Sequence, residues 1–384
     1  MYGSMIGDMV GADYEFVGIK TTDFSFQLSY FTDDTVMTIA VAHGLMKNKN
    51  ERDINLIKEN LICSMQYFGQ KYDNVGYGSA FFSWLFKRNP SPYNSFGNGA
   101  AMRVGSIAYL YPDDLERALE VAKISAEISH NHPEGIKGAV ATVELIWLAN
   151  AGADKDELKK AALKYYNLNK TCDEIRKDYK FDVTCQGTVP VAIECFLEGN
   201  NYEESVRLAI SMGGDSDTLA CICGSIAEAY FGVPEYLKKE CRKCLLDHGG
   251  AGLLDVVNQF EKYIRQLEKG VIIEGKDIKQ TNRRKAHTME IRDIKEFQDI
   301  KSGNMKHHIR LYDDKRKRIS PGDYITFQLA GTEEKCIVRV RAVYITSMNE
   351  LLKKKELLLE KEKLEKDYTL DELCNGTGIL FSFC

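Results

Sequence analysis

The sequence predicts two domains of different class: an all-α domain over residues 1–269 and a smaller strand-rich domain over 286–384, joined by a linker at 270–285. Three observations carry this. Apolar residues recur at helical spacing through most of the first 267 positions. Runs rich in Val, Ile, Tyr and Thr take over after Met289. Charge divides in the same place: residues 283–384 hold 21 Lys+Arg and 17 Asp+Glu, a net of +4, whereas 1–282 hold 30 and 39, a net of −9. At 384 residues and 44% hydrophobic content the chain is long enough for two cores.

In chain order, helical spacing marks 36–46, 115–128, 134–149, 156–166, 189–197, 202–210, 219–230 and 254–267. The stretch 179–188 breaks the pattern and reads either as a structural loop or as the lining of a cleft. Residues 270–285 are mostly polar and basic, which suits a linker. Strands follow at 324–329 and 335–345, with Pro321-Gly322-Asp323 as a turn signal before the first. A charged helix is expected over 348–364.

Two short runs carry the chemistry. Thr32-Asp33-Asp34-Thr35 precedes the helix at 36–46, and Gly213-Gly214-Asp215-Ser216-Asp217-Thr218 precedes the one at 219–230. Asp, Ser and Thr before an apolar run are ordinary helix caps. A cap needs one such residue, however, and each run has two carboxylates whose repulsion something must offset. A divalent cation held by hard oxygen ligands would do so.

Several classes are disfavoured. Met1 leads directly into the residues of a candidate motif, so no secretory signal is expected. No apolar run approaches the roughly 20 residues of a membrane span. The 11 cysteines are odd in number and irregularly spaced, which points to a reducing, cytoplasmic setting. Cys241-Arg242-Lys243-Cys244 has zinc-like spacing but no second pair, so ordinary helix residues are the simpler reading.

From Tyr2 to about Leu267 the chain resembles the ADP-ribosylglycohydrolase family, of the dinitrogenase-reductase-activating type, through five motifs in order. These are the glycine-rich Gly3-Ser4-Met5-Ile6-Gly7-Asp8-Met9-Val10-Gly11 with Glu15-Phe16 following; Phe31 through Thr35; Gly97-Asn98-Gly99-Ala100-Ala101-Met102-Arg103; Ser129-His130-Asn131-His132-Pro133; and Gly213 through Thr218. Gly3, Gly7 and Gly11 taken alone could equally serve close helix packing. The resemblance implies a compact all-α domain with a two-ion magnesium site, manganese being the alternative. It implies hydrolysis of the N- or O-glycosidic bond at the distal ribose C1″ of ADP-ribose. The implied metal ligands are Thr32, Asp33, Asp34, Asp215, Asp217 and Thr218. Glu15 falls where some members keep a mobile glutamate near the metals, and Glu15 and Asp34 are the candidates for activating water. Gly97, Asn98, Gly99, Met102, Arg103, His130 and His132 are the candidate substrate contacts. The glycines would free backbone N–H groups for phosphate; Arg103 suits phosphate or a structural partner equally.

The C-terminal part resembles an ASCH domain, a small β-barrel of the PUA-like superfamily. The resemblance rests on Ile300-Lys301-Ser302-Gly303, Ile309-Arg310-Leu311, 321–327 and 338–343. Residues 301–310 carry no threonine, so the Lys-Thr-Glu set with which some ASCH relatives hydrolyse acylated cytidine is incomplete. Residues 283–349 hold 15 basic and 9 acidic side chains, and Lys315, Arg316, Lys317 and Arg318 are the candidate RNA- or DNA-phosphate patch. The expected partners are an ADP-ribosylated protein, nucleic acid or small conjugate, with no membrane. The competing class is an ADP-ribose or nucleic-acid sensor without turnover.

Overall fold

The computed structural model describes residues 1–47, 53–269, 286–291, 294–301, 307–311, 324–332, 335–347 and 377–383. It divides into two compact units, Met1–Ile264 and Arg265–Cys384. The linker at 270–285, the basic run 315–318 and the charged helix at 348–364 lie outside the described residues.

The first unit is helical. Its leading elements are α1 (Tyr2–Gly11), α2 (Asp33–Met46), α3 (Ile54–Lys71), α4 (Ser79–Leu85), α5 (Gly99–Met102), α6 (Ile107–Leu110), α7 (Leu115–Glu127) and α8 (Pro133–Ala151). There follow α9 (Lys155–Ala162), α10 (Cys172–Asp178), α11 (Cys185–Glu198), α12 (Tyr202–Ile210), α13 (Ser216–Phe231), α14 (Glu235–Asp247) and α15 (Ala251–Lys269). Caps set many of the starts. Asp53, Asp114 and Asn201 accept backbone N–H bonds at α3, α7 and α12, while Asp154 and Thr171 form full capping boxes. The helix expected over 156–166 stops at Ala162, because the chain then turns and brings Lys164 and the Tyr165 hydroxyl onto Glu144 of α8.

One packing contact fixes the centre of this unit. Gly3, Gly7 and Gly11 recur every four residues and so share one face of α1. That face lies against α13 in antiparallel sense. A Cβ at Gly3 would sit 2.1 Å from the Gly224 carbonyl oxygen, and one at Gly7 2.1 Å from that of Ala220. At Gly11 it would lie 2.5 Å from the Asp217 Cα. Every residue of α1 is buried. Glu228 of α13 accepts the free N–H groups of Tyr2 (3.2 Å) and Gly3 (2.8 Å), satisfying two of the donors that a helix start leaves unpaired. The glycine stripe is thus a close-packing device, and its consequence is to carry Asp8 to the N-terminal end of α13.

The second unit holds β1 (Ala286–Ile291), α16 (Ile294–Lys301), β2 (His307–Leu311), β3 (Tyr324–Leu329), β4 (Lys335–Ser347) and β5 (Thr377–Phe383). The strands form one sheet in the order β1-β3-β4-β5-β2. The β1–β3 pair is parallel and the other pairs are antiparallel. Ile325, Phe327 and Leu329 alternate along β3 and are buried, as are Ile291 of β1 and Phe297 of α16. Among the described residues β1 and β2 stand at opposite edges of this sheet.

Candidate metal centre

The site is assembled at the N-terminal ends of α2 and α13. Thr32 is the N-cap of α2, and its Oγ1 accepts from the Asp34 N–H at 3.3 Å. The same hydroxyl donates to Asp8 Oδ1 at 2.7 Å. Asp8 Oδ2 accepts the backbone N–H groups of Thr32 (3.0 Å) and Thr35 (3.1 Å), so a carboxylate from α1 holds the start of α2. Asp215 is the N-cap of α13 by position, yet its side chain makes no capping bond. It accepts instead from Asn98 Nδ2 at 2.7 Å, and that amide also donates to Thr188 Oγ1 at 3.1 Å. Thr218 Oγ1 donates to Asp34 Oδ2 at 3.1 Å, tying the two helix starts together.

Carboxylate oxygens gather in two triads, Asp8/Asp34/Asp217 and Glu15/Asp215/Asp217. Within each triad the oxygens lie within 4.8 Å of one another, and Asp217 belongs to both. Asp33 is in neither. Its Oδ1 faces Gly76, where a Cβ would sit 3.5 Å away, and its N–H donates to the Val75 carbonyl at 2.8 Å.

Burial and mutual repulsion push these acids up. Burial raises Asp8 to about 6 against the hydrogen bonds from Thr32 and Thr35 that pull it down. Glu15 rises to about 7 through burial and the charges of Asp215 and Asp8. Asp33, Asp34 and Asp217 stand well above the carboxylate range, through burial first and neighbouring acids second. Asp34 Oδ1 is buried with no hydrogen-bond partner. An unpartnered buried carboxylate oxygen among repelling carboxylates is what a hard divalent cation would satisfy, and the all-oxygen donor set fits one.

The remaining candidates fall into supporting places. Asn98 is buried and reaches Asp215 directly. Gly97 forms a bridge with Thr184, and the Asn98 N–H donates to the Val183 carbonyl at 2.8 Å. The segment 179–188, two readings of which stood open, is therefore bonded into the site through Val183 and Thr188. Gly97 and Gly99 lie against the His130 ring; a Cβ at Gly99 would be 3.2 Å from Nε2. His130 is buried, its Nδ1 is 2.8 Å from Ser129 Oγ, and burial holds it well below the usual histidine range. His132 caps α8, its Nδ1 accepting from the Glu134 N–H at 3.1 Å. Met102 is buried, and its carbonyl accepts from Thr38 Oγ1 at 3.1 Å. Of the two readings of Arg103, the structural one fits its placement. The side chain is buried, donates to the Ser125 carbonyl and Ser129 Oγ, and lies over the Phe81 ring.

Asp8 is the residue that sequence reasoning passed over. It sat inside the glycine-rich motif, where a lone acid looked like spacing. The available signal was its place one residue after Gly7, on a helix with no other charge. Cys241 and Cys244 lie within α14, as their reading as helix residues expected. No described helix is long and apolar enough to cross a membrane.

Acidic oxygens gathered at two helix starts in an all-α domain form a cluster that could hold a metal ion. The sequence signature of the ADP-ribosylglycohydrolase family matches residues 1–270, and the chain belongs to that family. It is a hydrolase of ADP-ribosyl linkages, and the family is metal-dependent. The chain is 24% identical over 327 residues to the human ADP-ribosylhydrolase ARH3, a match spanning 62% of this chain and 87% of that one. It is 28% identical over 279 residues to the Gallus gallus ARH3, spanning 56% and 74%. It is 24% identical over 276 residues to the ADP-ribosylarginine hydrolase Tri1 of Pseudomonas putida, spanning 62% and 72%. Among solved structures, one titled "ADP-ribosylglycohydrolase-related protein complex" superposes with a TM-score of 0.51 at 20% identity, over 68% of this chain and 95% of that one; this shows the fold.

Proposed function

We propose that the first unit releases ADP-ribose by magnesium-dependent hydrolysis at ribose C1″, with two ions held by Asp8, Asp34, Asp215, Asp217 and Glu15. The observation that carries this is the pair of carboxylate triads sharing Asp217. When bound, the cations would supply Lewis acidity and an oriented seat for the vicinal ribose hydroxyls. Asp34 and Asp217 are ligands by their burial, and Thr32 and Thr218 hold the ligands in place through their hydroxyls. Asn98 fixes the Asp215 carboxylate.

Of the two candidates for activating water, Glu15 is favoured. It is only half-buried and belongs to one triad, which leaves it room to reach a water at the edge of the cluster. Asp34 is fully buried and already engaged by Thr218. The glycine loop at 97–99 remains the proposed phosphate contact. His132, half-buried against Phe96, is a better substrate contact than the buried His130.

The test is incubation with ADP-ribosylated proteins, nucleic acids and small conjugates, with magnesium, with manganese and with chelator. Free ADP-ribose should appear only with metal. Tight ADP-ribose binding with no turnover on any substrate would instead support the sensor reading. We keep the ASCH-like reading of the second unit as a separate proposal, supported by the excess of basic over acidic residues in 283–349. Binding of the full chain to RNA or DNA should then fall steeply with salt and weaken on reversal of Lys315 through Arg318. The eight cysteines whose side chains are described are all free thiols, which supports the cytoplasmic reading.

A further inference from the structure

We propose that Lys20 is a positioning residue for the hydrolysis: its ammonium ties the segment bearing Glu15 to the turn bearing Asp215 and so fixes where Glu15 acts. The proposal rests on the reading of Glu15 as the group that activates water, and it assigns what holds that group in place.

The segment that leaves α1 has little core of its own. No residue from Asp13 to Asp23 is buried, and Phe16 and Val17 are 84% and 66% exposed. A stretch with so few buried contacts keeps its place through polar anchors. Ser216 Oγ donates to the Tyr14 carbonyl at 3.3 Å, one residue before Glu15, but its single proton is shared with the Gly214 carbonyl at 3.2 Å. At the far end Arg207 of α12 donates to the Thr22 and Phe24 carbonyls at 3.2 and 2.8 Å. Between these stands Lys20, whose ammonium donates to the Tyr179 carbonyl at 2.6 Å and to the Met212 carbonyl.

Three segments meet at that ammonium. Gly213, at φ +63°, lies against the Glu15 segment: a Cβ there would sit 2.6 Å from the Ile19 carbonyl oxygen and 2.8 Å from that of Gly18. Gly214 lies against the third segment, where a Cβ would sit 2.5 Å from Tyr179 Cε1. Met212, Gly213 and Gly214 run directly into Asp215. Tyr179 opens the stretch whose Thr188 shares the Asn98 amide with Asp215. Lys20 thus bonds both neighbours of its own segment where each leads to Asp215. Glu15 and Asp215 are corners of one carboxylate triad, so this junction sets their separation.

The placement is not an easy one for a lysine. Burial first and the charge of Arg176 second push the ammonium below the usual lysine range. A lysine that served only solubility would extend into water. One held beside another cation by two carbonyls is there for position, and bonds from a charged donor are among the stronger ones.

The experiment uses the full chain. Lys20 is an exposed residue, so its replacement should leave the core intact. Lys20→Met keeps the stem and removes the donors; Lys20→Arg keeps a cation able to bond both carbonyls. In metal-free protein, amide exchange over residues 13–23 should quicken about tenfold in the Met variant, the scale of losing a charge-assisted hydrogen bond. Hydrolysis is then followed in magnesium with whichever of a serine-linked or an arginine-linked ADP-ribosyl peptide the wild type cleaves. The single-turnover rate should fall about tenfold, a part of the 10²-fold that a displacement of about 1 Å can cost. ADP-ribose affinity and thermal midpoint should hold, and the Arg variant should recover most of the rate. In a Glu15→Gln background the Met substitution should cost little more, because Lys20 acts through Glu15. An equal loss in both backgrounds would overturn the proposal, as would unchanged exchange or rate in the Met variant. An Arg variant no better than Met, or a fall in affinity and midpoint alongside rate, would overturn it too. An unchanged rate in Glu15→Gln alone, or a wild type that cleaves neither peptide, would instead sink the reading on which it rests.

Discussion

The N-terminal ends of α2 and α13 begin with nearly the same residues and use them differently. At α2 the cap position is Thr32, whose hydroxyl accepts the Asp34 N–H as a cap should. At α13 the cap position is Asp215, whose carboxylate declines the cap and faces Asn98 across 117 residues of sequence. The difference teaches how to separate a cap from a ligand. A capping side chain is consumed by its own helix, whereas a ligand is held by something distant and leaves its helix start to other means. By that test Asp215 is the proposed ligand, whereas Thr32 is a cap whose hydroxyl also holds Asp8.

The largest effect should come from the residue the two helix starts share. Asp217 joins both carboxylate triads, so Asp217→Ala removes a donor from each. Turnover should fall by roughly 10³-fold or more, the scale of losing a preorganised electrostatic contact, with helical circular dichroism unchanged. A variant that keeps a tenth of wild-type single-turnover rate would end the claim that the triads act as one centre. Glu15→Gln comes next. Loss of a general base should slow the chemical step about 10²-fold, while ADP-ribose affinity measured by calorimetry holds. An unchanged rate would hand the water to Asp34.

The comparison also sets a pH dependence. Asp8 is raised to about 6 and Glu15 to about 7, and Asp34 and Asp217 are raised well above the carboxylate range, all by burial first. A carboxyl whose folded value lies above its unfolded one binds more protons when folded. The stability it permits is therefore complete below the unfolded value near 4 and is lost as pH rises through the folded value. Chelated protein should show a thermal midpoint that falls from about pH 5 to pH 8. Magnesium should flatten that slope, since a cation replaces the protons. A midpoint that climbs with pH in chelator would mean that the carboxylates are not repelling one another.

Much of this was legible in the sequence, for a physical reason. The adjacent acids of 33–34 and 215–217 cannot be explained by capping alone, so their excess was visible without coordinates. The glycine stripe was legible as packing. What packing delivers was not, because the reach of Asp8 depends on how closely α1 approaches α13, and backbone approach leaves no mark on the acid itself. Arg103 and His130 were ambiguous for the opposite reason. Either could face substrate, and only burial beside Ser129 decides their surroundings. Lys20 lies 159 and 192 positions from the two carbonyls it bonds, and no local pattern announces that contact. In the second unit, β-branched runs gave β3 and β4 almost to the residue, because alternation is a local property. Strand order is not local, and the order β1-β3-β4-β5-β2 of the described strands was beyond that reading.

The smallest expected effect discriminates most sharply between cap and ligand, because it turns on sign. Thr32→Ala deletes a hydroxyl that accepts the Asp34 N–H and donates to Asp8. Loss of an N-cap costs about 1 kcal/mol, and this loss should appear in urea unfolding with or without magnesium, since the cap does not depend on a cation. Thr32→Ser should restore most of it. Asp215→Ala should behave otherwise. Its side chain caps nothing, and it adds charge to Asp33 and Asp217, both already raised well above the carboxylate range. In chelator the variant should be as stable as wild type or more so, because one repelling carboxylate is gone. In magnesium it should be less stable, because a donor is gone. If Asp215→Ala instead weakened the chelated protein as Thr32→Ala does, Asp215 would be an ordinary structural residue at a helix start, and the distinction between the two ends would fail.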